Sequence, residues 1–450
     1  MASSMFSYDP DIADPIFDYC KTRLSLDPVD LDFAGDKATL EAAIAGLMGP
    51  EGNDPKKVLE IFSDVLARAV ISCDSPRFLA FIPAAPTRAS MLFDMVVSCS
   101  SLQATSWLEA SGAVAAENQA LRVLADVAGM PPQAGGVFVS GGSAANLSAL
   151  VVARDTSDPQ RARGNRPLRV AISDETHSSV RTALRIICME SLVVPAEDHR
   201  LTGHGLRRAL AQDPHPDDVV AVVATAGTTN AGIVDDLAGI GEVAAERRMW
   251  FHVDGAYGAA ALFAPSAREL FRGIESADSL VVDPHKWLFA PFDCAGLIYR
   301  NPPLAKSVLS QKAGYLDVLH SGDEWNPSDY AYHLTRRARG LPLWFSLAVH
   351  GTDAYGAAVQ AGLTMAKQAA ARIATTEHLE LIREPELSIV LFRRRDWQPT
   401  DYDRWSAQLL ADQIGFVTPT LWQGETVARF AFLHPETTLE MVDEILATMK

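Results

Sequence analysis

Ser279-Leu280-Val281-Val282-Asp283-Pro284-His285-Lys286-Trp287 is the segment on which the reading of this chain turns. A short aliphatic run forms a strand, Pro284 stops it, and a histidine and a lysine follow at the strand's carboxyl end. In open α/β sheets that end is where ligands sit. On either side the same alternation of short apolar run and helix-length connection recurs. The runs are Gly136–Val139, Val170–Ser173, Ser191–Pro195, Val219–Ala224, Trp250–Val253 and Ala295–Tyr299. Strands separated by helices predict an α/β fold with a mainly parallel, doubly wound sheet of seven strands.

The flanking regions read differently. Asp54-Pro55 is an N-cap followed by proline at the first helical position, and Val58, Phe62, Val65, Leu66 and Ala69 follow at helical spacing. A further helix runs through Ala115 and Leu124. From Leu341 a long alanine-rich helix is expected to end near Thr375. After it come a strand (Leu387–Phe392), a helix (Trp405–Ile414), a strand pair around Thr418–Leu433 and a helix from Thr438. The organisation predicted is a helical N-terminal segment (1–75), a large domain (76–335) and a small α+β C-terminal domain (336–450).

Composition narrows the function. With 450 residues, 48% hydrophobic and 21% charged, the chain is globular, which excludes a disordered scaffold or a charge-rich coiled coil. Its 39 Lys+Arg against 56 Asp+Glu give a net charge of −17, a surface that repels phosphate backbones, so no nucleic-acid partner is expected. Five scattered cysteines without C-x-x-C spacing suit reduced thiols. The start, with Asp9, Asp11, Asp14 and Asp18, lacks the basic-then-apolar pattern of a signal peptide, and no apolar run is long enough to span a membrane. A cytoplasmic location is expected.

The chemistry-bearing residues cluster at strand ends. Lys286, if partly desolvated, can form a Schiff base with an aldehyde cofactor; alone it reads equally as a surface lysine. Upstream, Trp250-Phe251-His252-Val253-Asp254-Gly255-Ala256-Tyr257 places Asp254 and Ala256 on one face of an extended segment. Pyridoxal phosphate (PLP) needs a carboxylate against its ring nitrogen, and a small residue such as Ala256 could lie under the ring. Asp254 could also be a plain helix N-cap. Gly141-Gly142-Ser143, between a strand and a helix, offers backbone N–H groups and a helix dipole to a phosphate. The pattern lacks G-x-G-x-x-G and the G-K-[ST] ending, so a dinucleotide or ATP site is disfavoured. His177 follows another strand and could lie over a planar ring, and Thr229 sits at yet another strand end. No H-E-x-x-H or Cys/His cluster suggests a metal.

Together these motifs resemble the group II PLP-dependent amino-acid decarboxylases, the family of aromatic-L-amino-acid decarboxylase. The resemblance runs from about Asp54 to the C-terminus. It rests on Asp283-Pro284-His285-Lys286-Trp287 with Phe292-Asp293-Cys294, on His252 to Tyr257, and on Asp174-Glu175-Thr176-His177-Ser178-Ser179-Val180. It implies the PLP-dependent transferase fold type I, aspartate-aminotransferase-like. It also implies Lys286 as the Schiff-base lysine, Asp254 as partner of the pyridinium nitrogen, His177 and Ala256 on the two faces of the ring, and Gly142, Ser143, His285 and Thr229 around the phosphate.

By the same resemblance Tyr315 is the tyrosine of a mobile loop that reprotonates the substrate carbon. Members with phenylalanine there tend to release an aldehyde, so Tyr315 implies α-decarboxylation to amine and CO2. Phe81, Pro83 and Trp107 make an apolar pocket for an aromatic L-amino acid plausible. Ala144 and Ala84 depart from the family, standing where glutamate and threonine are common. The alternatives are a decarboxylation-dependent aldehyde synthase, or another fold type I reaction such as aminotransfer. A homodimer is implied, since members of the fold build each site from two subunits.

Overall fold

In the computed structural model the described residues are 4–82, 85–157, 166–311, 313–314 and 324–450. Three short helices, α1 (Pro10–Leu24), α2 (Lys37–Ile44) and α3 (Pro55–Ile61), come first. Asp54 caps α3 by accepting from the Lys56 amide at 2.9 Å, with Pro55 at the first helical position. None of the three helices contains a buried residue. They pack lightly on one another, Tyr19 of α1 meeting Phe62 just after α3 with ring centroids 5.7 Å apart, while Ile12, Ile16 and Phe17 stay exposed.

Helices α4 (Arg88–Cys99) and α5 (Trp107–Val127) lead into β1 (Gly135–Val139), whose turn opens α6 (Gly142–Asp155). There follow β2 (Arg169–Ser173), α7 (Ser178–Ile186), β3 (Glu190–Val194), α8 (Gly203–Gln212), β4 (Val219–Thr225), α9 (Leu237–Arg247) and β5 (Trp250–Asp254). Next are β6 (Ser279–Val282), the single turn α10 (Pro284–Trp287), β7 (Ala295–Tyr299) and α11 (Pro302–Leu309). The seven strands form one sheet in the order β1-β7-β6-β5-β4-β2-β3. All run the same way except β7, which is antiparallel to both neighbours. Every residue of β4, β5 and β7 is buried, as expected of strands covered on both faces. The alternation of Val and Ala in β4 therefore serves two helix layers rather than one.

The second unit begins with α12 (Leu341–Ala374). It is not the single continuous helix the sequence suggested. At Gly351 φ is +76° and ψ 161°, so two helical segments meet there, a conformation that favours glycine. A four-stranded antiparallel sheet follows, in the order β10-β11-β9-β8. Its strands are β8 (Leu379–Leu381), β9 (Ile389–Arg394), β10 (Thr420–Trp422) and β11 (Glu425–Ala431), with α13 (Pro399–Ala411) and α14 (Leu439–Ala447) against it. The short β8 is absent from the sequence reading. Helix α13 starts earlier than expected, because Asp401 accepts from the Gln398 amide at 2.9 Å and Pro399 fits the first turn. A segment from the N-terminal side joins this sheet: the Leu79 amide donates to the Phe416 carbonyl, and the Ala431 amide to the Leu79 carbonyl, both at 2.9 Å.

Because β1, β2, β4, β5 and β6 point the same way, their carboxyl ends lie along one edge of the large sheet. That edge carries the site.

Candidate active site

The edge opens into a cavity of about 510 Å³. Each strand end contributes one part of its wall. From β6 come Asp283, His285 and Lys286; from β5, Asp254, Ala256 and Tyr257; from β4, Thr225 and Thr229; from β2, Glu175, His177 and Ser179; from β1, Gly142, Ser143 and Asn146. Eight expected cofactor residues, Gly142, Ser143, His177, Thr229, Asp254, Ala256, His285 and Lys286, line this one cavity.

Lys286 is held on the one-turn helix α10, and its Nζ lies 3.1 Å from Oδ2 of Asp283. The same oxygen accepts the Gly142 amide at 3.0 Å. Asp283 is 1% exposed, and its Oδ1 has no hydrogen-bond partner among the described residues. The Cys294 amide donates to His285 Nδ1 at 2.9 Å, which leaves Nε2 facing Asp283 Oδ2 at 3.7 Å. Burial lowers the basicity of His285, only partly offset by the Asp283 carboxylate.

Asp254 is 6% exposed and accepts from Asn146 Nδ2 at 2.9 Å and from the Ala256 amide at 3.1 Å. Asn146 lies one turn beyond Gly142 on α6, so the helix that opens at the glycine turn also delivers the amide that holds Asp254. Asn146 Oδ1 pairs with His252 Nε2 at 2.9 Å, and its amide also reaches Ser179 Oγ at 3.1 Å. Burial drives the pKa of His252 down to about 4. His177, the first residue before α7, engages Ser179 through Nδ1 at 2.8 Å.

Asp283, Asn146 and His252 were not singled out in the sequence. A carboxylate directly before Pro-His-Lys, and an asparagine four residues after the glycine, are the signals that point to the first two.

The apolar pocket is arranged differently. Phe81 is 60% exposed and has φ +50°, and Trp107 is half-buried at the start of α5. Neither lines the cavity, because each is carried on an element at the surface of the single chain. Pro83 and Tyr315 lie outside the described residues. The Phe81 segment is nevertheless tied to the site. Arg429 of β11 donates Nη1 to the Phe81 carbonyl at 2.8 Å, Nε to the Asn230 carbonyl at 3.2 Å, and Nη2 to the Thr229 carbonyl.

Residues 44–395 match the model of the pyridoxal-dependent decarboxylase conserved domain. The chain belongs to the pyridoxal-dependent decarboxylase family. It is 30% identical to the aromatic-L-amino-acid decarboxylase of Bacillus atrophaeus, over 96% of this chain and 91% of that one. It is also 30% identical to the L-2,4-diaminobutyrate decarboxylase of Rhizobium meliloti (strain 1021), over 78% and 73% of the respective chains. Among solved structures, that of Oryza sativa TDC with PLP and tryptamine superposes with a TM-score of 0.89 at 24% identity, covering 98% of this chain and 99% of the other. This decarboxylase therefore has the PLP-dependent fold type I and is a PLP-dependent carboxy-lyase acting on an amino acid.

The cavity of the decarboxylase fits that cofactor on its own geometry. An amine and two buried carboxylates converge in it, and Thr225 Oγ1 and Asp283 Oδ1 are buried there without hydrogen-bond partners among the described residues. A Cβ added at Gly142 would stand 3.0 Å from Asp283 Oδ2 and 3.2 Å from the Ala256 Cβ, so a side chain there would press on both. Among the described residues no helix is long and apolar enough to cross a membrane.

Proposed function

We propose that this decarboxylase removes the α-carboxylate of an aromatic L-amino acid, releasing the amine and CO2, and works as a homodimer in the cytoplasm. The observation that carries the proposed site is the meeting of Lys286, Asp254 and His177 in one cavity at the carboxyl edge of the sheet. The aromatic substrate is supported by the likeness to the Bacillus enzyme and by the exposed ring of Phe81 beside a segment tied to the site. The dimer is supported by the N-terminal helices, which bury no residue within the chain and leave Ile12, Ile16 and Phe17 exposed.

The chemistry PLP supplies when bound is a protonated ring that accepts the electron pair left at Cα as CO2 departs. Each residue of the chain then has a task. Lys286 Nζ would be the amine that holds the cofactor aldehyde. The Asp254 carboxylate would face the ring nitrogen, held in place by the two hydrogen bonds it accepts from Asn146 and the Ala256 amide. His177 and Ala256 would contact the two faces of the ring, while Gly142, Ser143, Thr229 and His285 would hold the phosphate. Tyr315 delivers a proton to Cα in place of the lost carboxylate, and prompt delivery keeps oxygen from diverting the reaction to aldehyde.

The test is CO2 release from the PLP-loaded protein with a panel of L-amino acids, peroxide being followed in parallel. CO2 with stoichiometric amine from tryptophan, tyrosine, phenylalanine or DOPA is the expected result. CO2 accompanied by peroxide would reassign the enzyme as an aldehyde synthase. Turnover confined to histidine or a diamino acid would overturn the aromatic assignment.

A further inference from the structure

Behind the cavity lies a buried row of side chains that the proposed chemistry does not use. Trp250 Nε1 is 2.8 Å from Ser279 Oγ, which is 2.7 Å from His252 Nδ1. His252 Nε2 is 2.9 Å from Asn146 Oδ1, and Asn146 Nδ2 is 2.9 Å from Asp254 Oδ2 and 3.1 Å from Ser179 Oγ. Ser179 Oγ is in turn 2.8 Å from His177 Nδ1. The row is formed by sheet pairing: His252 on β5 stands opposite Ser279 on β6, and α6 crosses that pair.

The ends of the row leave its interior no choice of direction. An indole N–H can only donate and a carboxylate can only accept. With Asp254 as acceptor, Asn146 presents its NH2 to it and turns its carbonyl to His252. His252 must then carry its proton on Nε2, so Nδ1 accepts from the Ser279 hydroxyl, whose oxygen accepts the Trp250 N–H. Reversing any one of these bonds would leave a buried proton without an acceptor or set two acceptors face to face. His252, Asn146 and Ser279 are at most 1% exposed, so water offers no escape. The second Asn146 proton goes to Ser179, whose hydroxyl proton is then directed to His177 Nδ1. The Ser179 backbone amide, 3.2 Å from the same nitrogen, demands the same acceptor role.

We infer that Trp250, Ser279, His252 and Asn146 are positioning residues: one polarised hydrogen-bond row that fixes the Asp254 carboxylate and sets the tautomer of His177, leaving Nε2–H as the donor turned to the occupant of the cavity. The inference rests on the roles proposed above for Asp254 and His177. It adds that the two are coupled through Asn146, so that ring nitrogen partner and ring-stacking histidine are set by one network.

Long-range 1H–15N correlation on the full chain, labelled with ring-15N histidine and free of cofactor, tests this. The signals of His252 and His177 are assigned from His252→Gln and His177→Gln variants. Both histidines are expected in the Nε2–H tautomer. In His252→Phe the ring nitrogens of His177 should shift, and in His252→Gln, whose amide can still donate to Asn146, they should return towards the original positions. A proton on His252 Nδ1, or His177 signals unmoved in His252→Phe, would overturn the inference. If His252→Phe fails to fold, the tautomers of the unaltered protein still decide. Cofactor binding by the unaltered protein is measured separately by absorbance. Its absence would sink the proposed site while leaving the hydrogen-bond row standing.

Discussion

Lys286 Nζ lies 3.1 Å from Oδ2 of Asp283, a carboxylate that is almost wholly buried. That oxygen also holds the Gly142 amide, so one carboxylate ties the lysine strand end to the glycine turn across the cavity. Removing it should cost stability on both sides. Asp283→Ala is expected to destabilise the cofactor-free protein by about 1–3 kcal/mol, less than a fully enclosed pair because the lysine is 25% exposed. Asp283→Asn, which can still accept from Gly142, should lose less. Urea unfolding of both variants reads the difference, and equal losses would show that the charge alone matters.

The glycine turn makes a sharper prediction. Gly142→Ala places a methyl 3.0 Å from Asp283 Oδ2 and 3.2 Å from Ala256. Overpacking of this kind costs roughly 1–3 kcal/mol, here expected as a tenfold or greater weakening of PLP affinity. Titration of the cofactor by absorbance measures it. Unchanged affinity would mean that the turn is not part of the cofactor's cradle.

Away from the cavity, Arg336 is clamped by Glu117 through both guanidinium nitrogens, at 2.7 and 2.9 Å, with both side chains inaccessible or nearly so. Glu117 also accepts the Gly340 amide at 2.8 Å. Glu117→Gln should destabilise by about 3–5 kcal/mol, since it strands a buried cation. In denaturant unfolding, the double change with Arg336→Met should recover part of that loss.

The pH dependence follows from two opposed groups. Burial lowers His252 to about 4, so the unfolded chain binds the extra proton first, and stability falls as pH drops from about 6.5 to about 4. Burial raises Asp235 to about 7, so the folded chain holds a proton that the unfolded one has lost, and stability falls as pH rises from about 4 to about 7. The two slopes oppose one another in the unaltered protein. Replacing His252 by glutamine should leave the Asp235 slope exposed, with stability rising on acidification by up to roughly 1.4 kcal/mol per pH unit. Urea unfolding between pH 7 and 5 checks the sign, and an unchanged profile would remove His252 from the account.

The large sheet was legible because its strands are short β-branched runs with helices between them, and five of its strand ends carry polar motifs that together suit a ligand site. Lys286, Asp254 and His177 could be named from such motifs. Asn146 and His252 could not, because their task depends on α6 crossing β5 and β6, which no local spacing states. The break at Gly351 was hidden by an alanine-rich run that is helix-favouring on both sides. Phe81 and Trp107 read as a pocket from their side chains alone, yet the chain carries them on separate surface elements.

Arg429 gives the small sheet a hold on the cavity. It belongs to β11, yet its guanidinium grips the carbonyls of Phe81, Thr229 and Asn230, which lie far away in the sequence. A chain cut after β9 would keep every residue that lines the cavity and lose the clasp that joins one of its edges to the Phe81 segment. The small sheet therefore acts on the cavity from outside its lining, through the backbone of Thr229 and Asn230.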